Sequence, residues 1–190
     1  MKILGLDTST TSTGYCVMED NKILAYGVIK PKKSLDVIDR IIYIEKEIKS
    51  IIKAKSVEYV CIEDLVSFRN AYATKGLAGL LMHIQIELRK KDMLVITVRP
   101  TEWRKGIVKG RTRSEQKASS KEYVLKNYGL DVGDDESDAI LVARYGDMLE
   151  KEWRNMFIRL NDENKTVIST YVIEYCLLYT SPSPRDSTSC

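Results

Sequence analysis

The chain has 190 residues, is 44% hydrophobic and 30% charged, and carries a formal net charge of +3, which describes a soluble globular protein with one ordinary core and a short appendage. Four cysteines are too few for a disulfide framework at this length, and with no CxxC or Cys/His cluster a zinc site is ruled out, the single histidine, His83, reading as a packed helix residue. No apolar run reaches the roughly 18 residues that a membrane span needs and "MKILGLD" has no signal-peptide pattern, so a cytoplasmic protein without membrane contact is expected.

"KILGLDTS" is a near-continuous apolar run ending in an acid and hydroxyls, the pattern of a central strand buried on both faces. "TGYCVMEDNKILAYGVIK" predicts two strands around a Glu19-Asp20-Asn21 turn, which completes an antiparallel meander. Ser34 is a candidate cap for the next helix, in which Ile38, Ile41, Ile42, Ile48 and Ile52 recur at helical spacing. "VEYVCIED" predicts a second buried strand, with Cys61 in it and Cys16 in the hairpin, both expected reduced and buried. "AYATKGLAGLLMHIQIELRKK" predicts a longer helix, and "MLVITV" a strand that Pro100 stops. From Pro100 to Tyr128 the chain is basic and mostly helical, broken at Gly106 and Gly110. "DDESDAILVARYGDMLEKEW" gives the last helix, with Ala139, Ile140, Ala143 and Met148 on its apolar face.

This order predicts one α/β domain over residues 1–151, a mixed five-stranded sheet flanked by helices, three antiparallel strands preceding parallel crossovers. Residues 152–175 form a C-terminal extension of unassigned structure. "CLLYTSPSPRD" resembles the in-frame translation of a transposase-based sequencing adapter, so residues 176–190 are expected not to be native and stay outside the fold argument.

Charge is distributed unevenly. Residues 89–126 hold 12 Lys/Arg against 4 Asp/Glu, and residues 131–150 hold 7 acids against one Arg. A basic block running into an acidic one fits a polyanion track that leads to a metal site. Asp7 and Glu63 end the first and fourth strands, and α/β sites form beyond such strand ends. Asp135 and Asp138 lie three apart and share a face of the last helix's first turn. Each acid alone is an ordinary cap or a solvated strand end. Four converging carboxylates, however, would repel one another and rise in pKa unless hard divalent cations, Mg²⁺ or Mn²⁺, balanced them. A pair of Mg²⁺ ions would suit an in-line phosphodiester displacement.

The basic residues Arg99, Arg104, Lys105, Lys109, Arg111 and Arg113 have too few acidic neighbours for helical pairing and read as phosphate contacts, with Arg111 and Arg113 in a glycine-flanked, flexible stretch. Lys117 and Lys121 lie four apart on one helix face, and either can stabilise charge building on a phosphate. Lys121 is favoured because it is nearer the acidic helix in sequence. Trp103 stacks on a sugar or base, or simply anchors a helix.

"MKILGLDTSTTSTGY", "VCIEDL" and "DDESDAILVA" resemble the three acidic motifs of the RuvC-type Holliday-junction resolvases, which have the ribonuclease H-like fold. The resemblance runs over residues 1–146 and, through "VRPTEWRKGIVKGRTRSEQK", looks closest to phage-type or divergent members. It implies a structure-selective endodeoxyribonuclease that cleaves Holliday junctions or other branched DNA in a bacterial or phage-infected cell. It also implies Asp7, Glu63, Asp135 and Asp138 as ligands of two Mg²⁺, replaceable by Mn²⁺, with Lys117 or Lys121 near the scissile phosphate. Some members carry a histidine near the last motif; none is present here, which leaves that role to Asp135. The loop after the catalytic glutamate often carries an aromatic wedge, and "DLVSFRN" offers Phe68, with Arg69 beside it as a DNA contact. Phe68 is equally readable as an anchor for the helix that follows. Related resolvases cut as homodimers, and the helix around residues 70–91 could supply the interface.

Two other classes compete. "GLDTSTTSTGY" also resembles the first phosphate loop of actin-like and sugar-kinase ATPases, although no second glycine-rich phosphate loop follows. A catalytically inactive DNA-binding scaffold would keep the fold, and the four intact acids speak against it.

Overall fold

Alternation along β1 (Ile3–Asp7) decides how the sheet is covered. Leu4 and Leu6 point to one face, and Ile3, Gly5 and Asp7 to the other. The computed structural model describes residues 1–65 and 71–163, which fall into two units, Met1–Met148 and Leu149–Cys190. In the first unit, β2 (Thr13–Glu19) and β3 (Lys22–Ile29) follow β1 as an antiparallel meander. Asp20 and Asn21 make the tight turn between them with φ of 50° and 62°, a left-handed conformation that short polar side chains tolerate. Helix α1 (Val37–Lys55) then crosses to β4 (Tyr59–Glu63), and α2 (Ala71–Arg89) crosses to β5 (Leu94–Val98). Both crossover strands are parallel, β4 beside β1 and β5 beside β4, giving the order β3-β2-β1-β4-β5. The short α3 (Pro100–Trp103), α4 (Arg113–Tyr128) and α5 (Asp134–Glu163) complete the described chain. The mixed five-stranded sheet is the one the sequence predicts.

Leu4, Leu6, Val60 and Ile62 pack against Ile44 and Ile48 of α1 and Leu80 and Ile84 of α2. Each such side chain stabilises the fold by about 1.5–3 kcal/mol when taken from water. The opposite face receives α5, and two glycines allow it to approach. A Cβ on Gly5 would stand 2.3 Å from the Ala143 backbone nitrogen, and one on Gly14 would stand 2.0 Å from the Asp135 carbonyl oxygen. Residues 139–143 of α5 are fully buried there. By the same alternation Asp7 and Glu63, on neighbouring strands, project to the α5 side.

Two local expectations are corrected. Asp36, not Ser34, caps α1, its carboxylate accepting from the Asp39 N–H at 2.8 Å. The buried stripe of α1 centres on Ile44 and Ile48, while Ile38 and Ile42 are exposed; several isoleucine registers fit a helix period, and only packing against α2 and the sheet selects among them. Helix α5 continues past residue 151 to Glu163, so helical backbone occupies the start of the extension. Within the second unit Arg154 pairs with Glu150 at 2.5 Å. Cys16 and Cys61 are buried free thiols. Among the described residues no helix is long and apolar enough to cross a membrane.

Candidate active site

Strand ends, a hydroxyl-rich loop and two helices build one cleft of about 700 Å³ beyond the carboxyl ends of the neighbouring strands β1 and β4. Asp7 enters from the end of β1, Glu63 from the end of β4, and Asp135 and Asp138 from the first turn of α5; all four line the cleft. The "TSTTST" segment after β1 folds back on itself, the Thr13 hydroxyl donating to the Ser9 carbonyl at 2.7 Å. From this loop the Ser12 hydroxyl donates to Asp135 Oδ2 at 2.5 Å, tying the first acidic motif to the last.

Burial and mutual repulsion govern the acids. Asp7 is pushed well above the usual carboxylate range by desolvation, reinforced by Glu63, Asp138 and Asp135 and opposed by Arg104. Glu63 is pushed up to about 7, again mainly by burial, with Arg104 pulling it back and Asp138 adding repulsion. Burial raises the Asp138 carboxyl, opposed by a hydrogen bond from the Ser120 side chain and by the charge of Arg104. The Arg104 guanidinium is the common counter-charge, 3.8 Å from Glu63 Oε1 and 3.7 Å from Asp138 Oδ2.

Among the described residues no three His, Cys, Asp or Glu side chains form a ready-made ion site. The Arg104 guanidinium stands beside both Glu63 and Asp138. The donor set nevertheless fits a hard divalent cation. All four candidates are carboxylates, and Glu63 Oε2 and Asp138 Oδ1 are buried without a hydrogen-bond partner. Such acceptors are costly to bury unless a cation takes them up.

The basic segment divides in two. Lys117 lines the cleft, whereas Lys121 does not, so position favours the lysine that sequence order ranked second. Both lysines pair with Asp134, Lys117 at 2.7 Å and Lys121 at 3.2 Å, and Lys117 leads in holding the Asp134 carboxyl below its usual range. Arg111 and Arg113 are exposed and line the cleft. Their stretch is held rather than loose: the Arg111 N–H donates to Glu115 Oε2 at 2.7 Å, Thr112 caps α4, and Arg113 is its first residue. Lys105 and Lys109 are exposed, away from the cleft lining. Arg104 also lines the cleft, beside Glu63 and Asp138. Trp103 is fully buried, with Arg104 over its ring at 4.5 Å, so the anchoring reading of this tryptophan holds. Phe68 and Arg69 lie outside the described residues.

Sequence reasoning missed Ser12, Ser120 and Asp134. Ser120 lies three residues after Lys117 on the helix face that meets the acids, a spacing that could have flagged it. Asp134 gave no such signal, because it is one of two adjacent aspartates and only the fold separates their directions.

A family model described as crossover junction endodeoxyribonuclease RuvC matches residues 3–144. A curated relative of that same description from Fusobacterium nucleatum is 27% identical over 150 residues, covering 75% of this chain and 78% of its own. Among solved structures, Thermus thermophilus RuvC in complex with a Holliday junction substrate superposes with a TM-score of 0.65 at 15% identity, covering 80% of this chain and 96% of its own. Fowlpox virus resolvase, solved with substrate Holliday junction DNA, gives a TM-score of 0.51 at 17% identity, over 78% of this chain and 99% of its own.

Proposed function

The chain belongs to the crossover junction endodeoxyribonuclease RuvC family, and from that premise we propose that its acidic cleft holds divalent ions and cuts the phosphodiester backbone of a four-way DNA junction. It is a junction-cleaving endonuclease, and nucleases of this family are metal-dependent in general. The observation that carries the site reading is the undercompensated acid set itself: Asp7, Glu63, Asp135 and Asp138 line one cleft, and Glu63 Oε2 and Asp138 Oδ1 are buried without a hydrogen-bond partner. Such a set has a use when cations complete it.

Asp7, Glu63, Asp135 and Asp138 are the ligands in this reading, and Mg²⁺ is the physiological ion, two per site, with Mn²⁺ as a substitute. The ions supply the Lewis acidity and charge for an in-line displacement at phosphorus. The chain's own groups do the rest. Ser12 orients Asp135, and Ser120 supports Asp138. Lys117, on the cleft wall, meets the charge that builds on the phosphate oxygens, an interaction stronger in the transition state than before it. Asp134 positions Lys117 without taking part. Arg111 and Arg113 contact flanking phosphates, with Lys105 and Lys109 as outer contacts.

The partner reading is branched DNA bound by a homodimer, in the cytoplasm of a bacterial or phage-infected cell. Helix α2 supports the dimer by leaving Met82 and Ile86 exposed one turn apart, at 58% and 47%. Met82→Glu should then sediment as a monomer at concentrations where the unaltered chain is dimeric, and unchanged sedimentation would remove this face from the interface.

Cleavage of a synthetic four-way junction, compared with a linear duplex of the same arms, tests the function. Symmetric nicks in the junction with Mg²⁺, none with EDTA and none in the duplex are expected. Equal cutting of both substrates would remove the junction specificity.

A further inference from the structure

Among the described residues Arg104 is the one cation within 4 Å of two of the four acids, and its surroundings explain how it stays there. Its guanidinium lies 3.8 Å from Glu63 Oε1 and 3.7 Å from Asp138 Oδ2, with 30% of the side chain exposed. The ring of Trp103 lies under it at 4.5 Å, and Trp103 is fully buried. The pairing is incomplete. Both contacts are at the long end for an ion pair, the Arg104 Nε is buried without a partner, and so are Glu63 Oε2 and Asp138 Oδ1. A guanidinium forms its strongest pair with a carboxylate when two short parallel N–H···O bonds are made. Here a single charge is spread over two acids at ranges where neither pair is made well.

We propose that Arg104 is a resident counter-ion, which holds Glu63 and Asp138 together in the metal-free protein and must be displaced from them before a divalent ion can bind. The inference rests on the reading of the cleft as a metal site and adds a device that sets its affinity. One positive charge near the ligands weakens a dication by direct repulsion, in addition to occupying the oxygens. In exchange the acids are prevented from driving the strand ends and α5 apart when no ion is present. Imperfect geometry keeps the guanidinium displaceable, because a bidentate pair with either acid would resist the ion.

The test is Mn²⁺ binding without DNA, followed by calorimetry, together with melting in EDTA and at saturating Mn²⁺. Arg104→Gln should bind Mn²⁺ more tightly, by about tenfold given the removal of a unit charge at this range. It should melt lower than the unaltered chain in EDTA and close to it with Mn²⁺. Arg104→Lys restores the charge and should return the affinity towards the original. If Arg104→Gln does not fold, Arg104→Met replaces the guanidinium with an uncharged side chain of similar length and reads the same comparison. A second readout is optical: in a Trp153→Phe background, Mn²⁺ should change Trp103 emission when Arg104 is present and leave it unchanged in Arg104→Gln. Affinity that is unaltered or weaker in both charge-removing variants overturns the counter-ion proposal while leaving the metal site standing. A parent chain that binds no Mn²⁺ overturns both.

Discussion

Glu87 on α2 stands 2.8 Å from Lys49 and 2.9 Å from Lys90, and hydrogen bonds from those two lysines hold its carboxyl down to about 2. Glu63 at the end of β4 shares one guanidinium with Asp138 at nearly 4 Å, and burial pushes its carboxyl up to about 7. Both glutamates sit in clusters of charge within one unit. A surface acid is fully balanced, while the buried cleft, where imbalance is dearest, is left short of cations. Lysine supply does not explain the shortage, because Lys117 and Lys121 reach the first turn of α5 and pair with Asp134 there. The shortfall is what a cation-binding cleft requires and what a purely structural ion-pair network would not retain.

Breaking the cleft should have the largest effect. Asp7→Asn should lower single-turnover cleavage of a four-way junction by at least about a hundredfold, the scale of losing one electrostatic element of a site. Junction affinity should stay the same or tighten, since less negative charge faces the phosphates, and the metal-free chain should melt higher as repulsion is relieved. Parallel loss of binding and cleavage would instead make Asp7 a folding residue. Next comes the lysine that reaches the cleft. Lys117→Ala should lower the cleavage rate at saturating junction by about a hundredfold, with affinity little changed, and Lys121→Ala should stay within a few-fold of the parent. The reverse ranking would show that the Asp134 pairing, not the cleft position, selects the lysine.

Arg111 and Arg113 sharpen the comparison from the rim. Changing both to Ala should weaken junction binding broadly and lower the slope of log affinity against log salt by about two, leaving cleavage at saturation intact. A slope that does not move would remove them from the phosphate track.

The smallest effect is on stability, and it has opposite signs in the two clusters. Glu63 rises from its ordinary 4.5 to about 7 on folding, so the folded state holds that proton more tightly. Its contribution is fully present below pH 4.5 and is lost as pH climbs to about 7. Metal-free protein should therefore melt lower at pH 8 than at pH 5, by about 5 °C or more, and Glu63→Gln should flatten that limb. Glu87 has the opposite linkage: its contribution is present above 4.5 and is lost as pH falls towards 2. Glu87→Gln should leave the neutral limb unchanged and alter only the acid one. Identical profiles for both variants would erase the distinction between the clusters.

The sequence made the elements legible because the period changes are clean, from "KILGLD" at strand spacing to the isoleucine-rich α1. It also placed Asp7 and Glu63 at the ends of neighbouring strands and Asp135 and Asp138 on one face of the last helix's first turn, since strand ends and helical spacing follow rigid rules. The position of Arg104 beside Glu63 and Asp138 was not legible. It sits in a run of similar basic residues, and its direction depends on Trp103 filling the pocket beneath it. Sequence distance put Lys121 ahead of Lys117, whereas Lys117 is the one that lines the cleft, since closeness to α5 along the chain does not report which turn of α4 faces the cleft. The cap of α1 went to Asp36 over Ser34 for a comparable reason: both residue types can cap, and the choice lies in where the backbone turns.

Direct titration of the parent chain and of the Asp7→Asn/Asp138→Asn double variant with Mn²⁺, in the absence of DNA, tests the central claim that this acid set is a cation site. The account predicts saturable binding to the parent, accompanied by a rise in melting temperature, and loss of both in the double variant while the fold persists. Equal binding by the two proteins would contradict it.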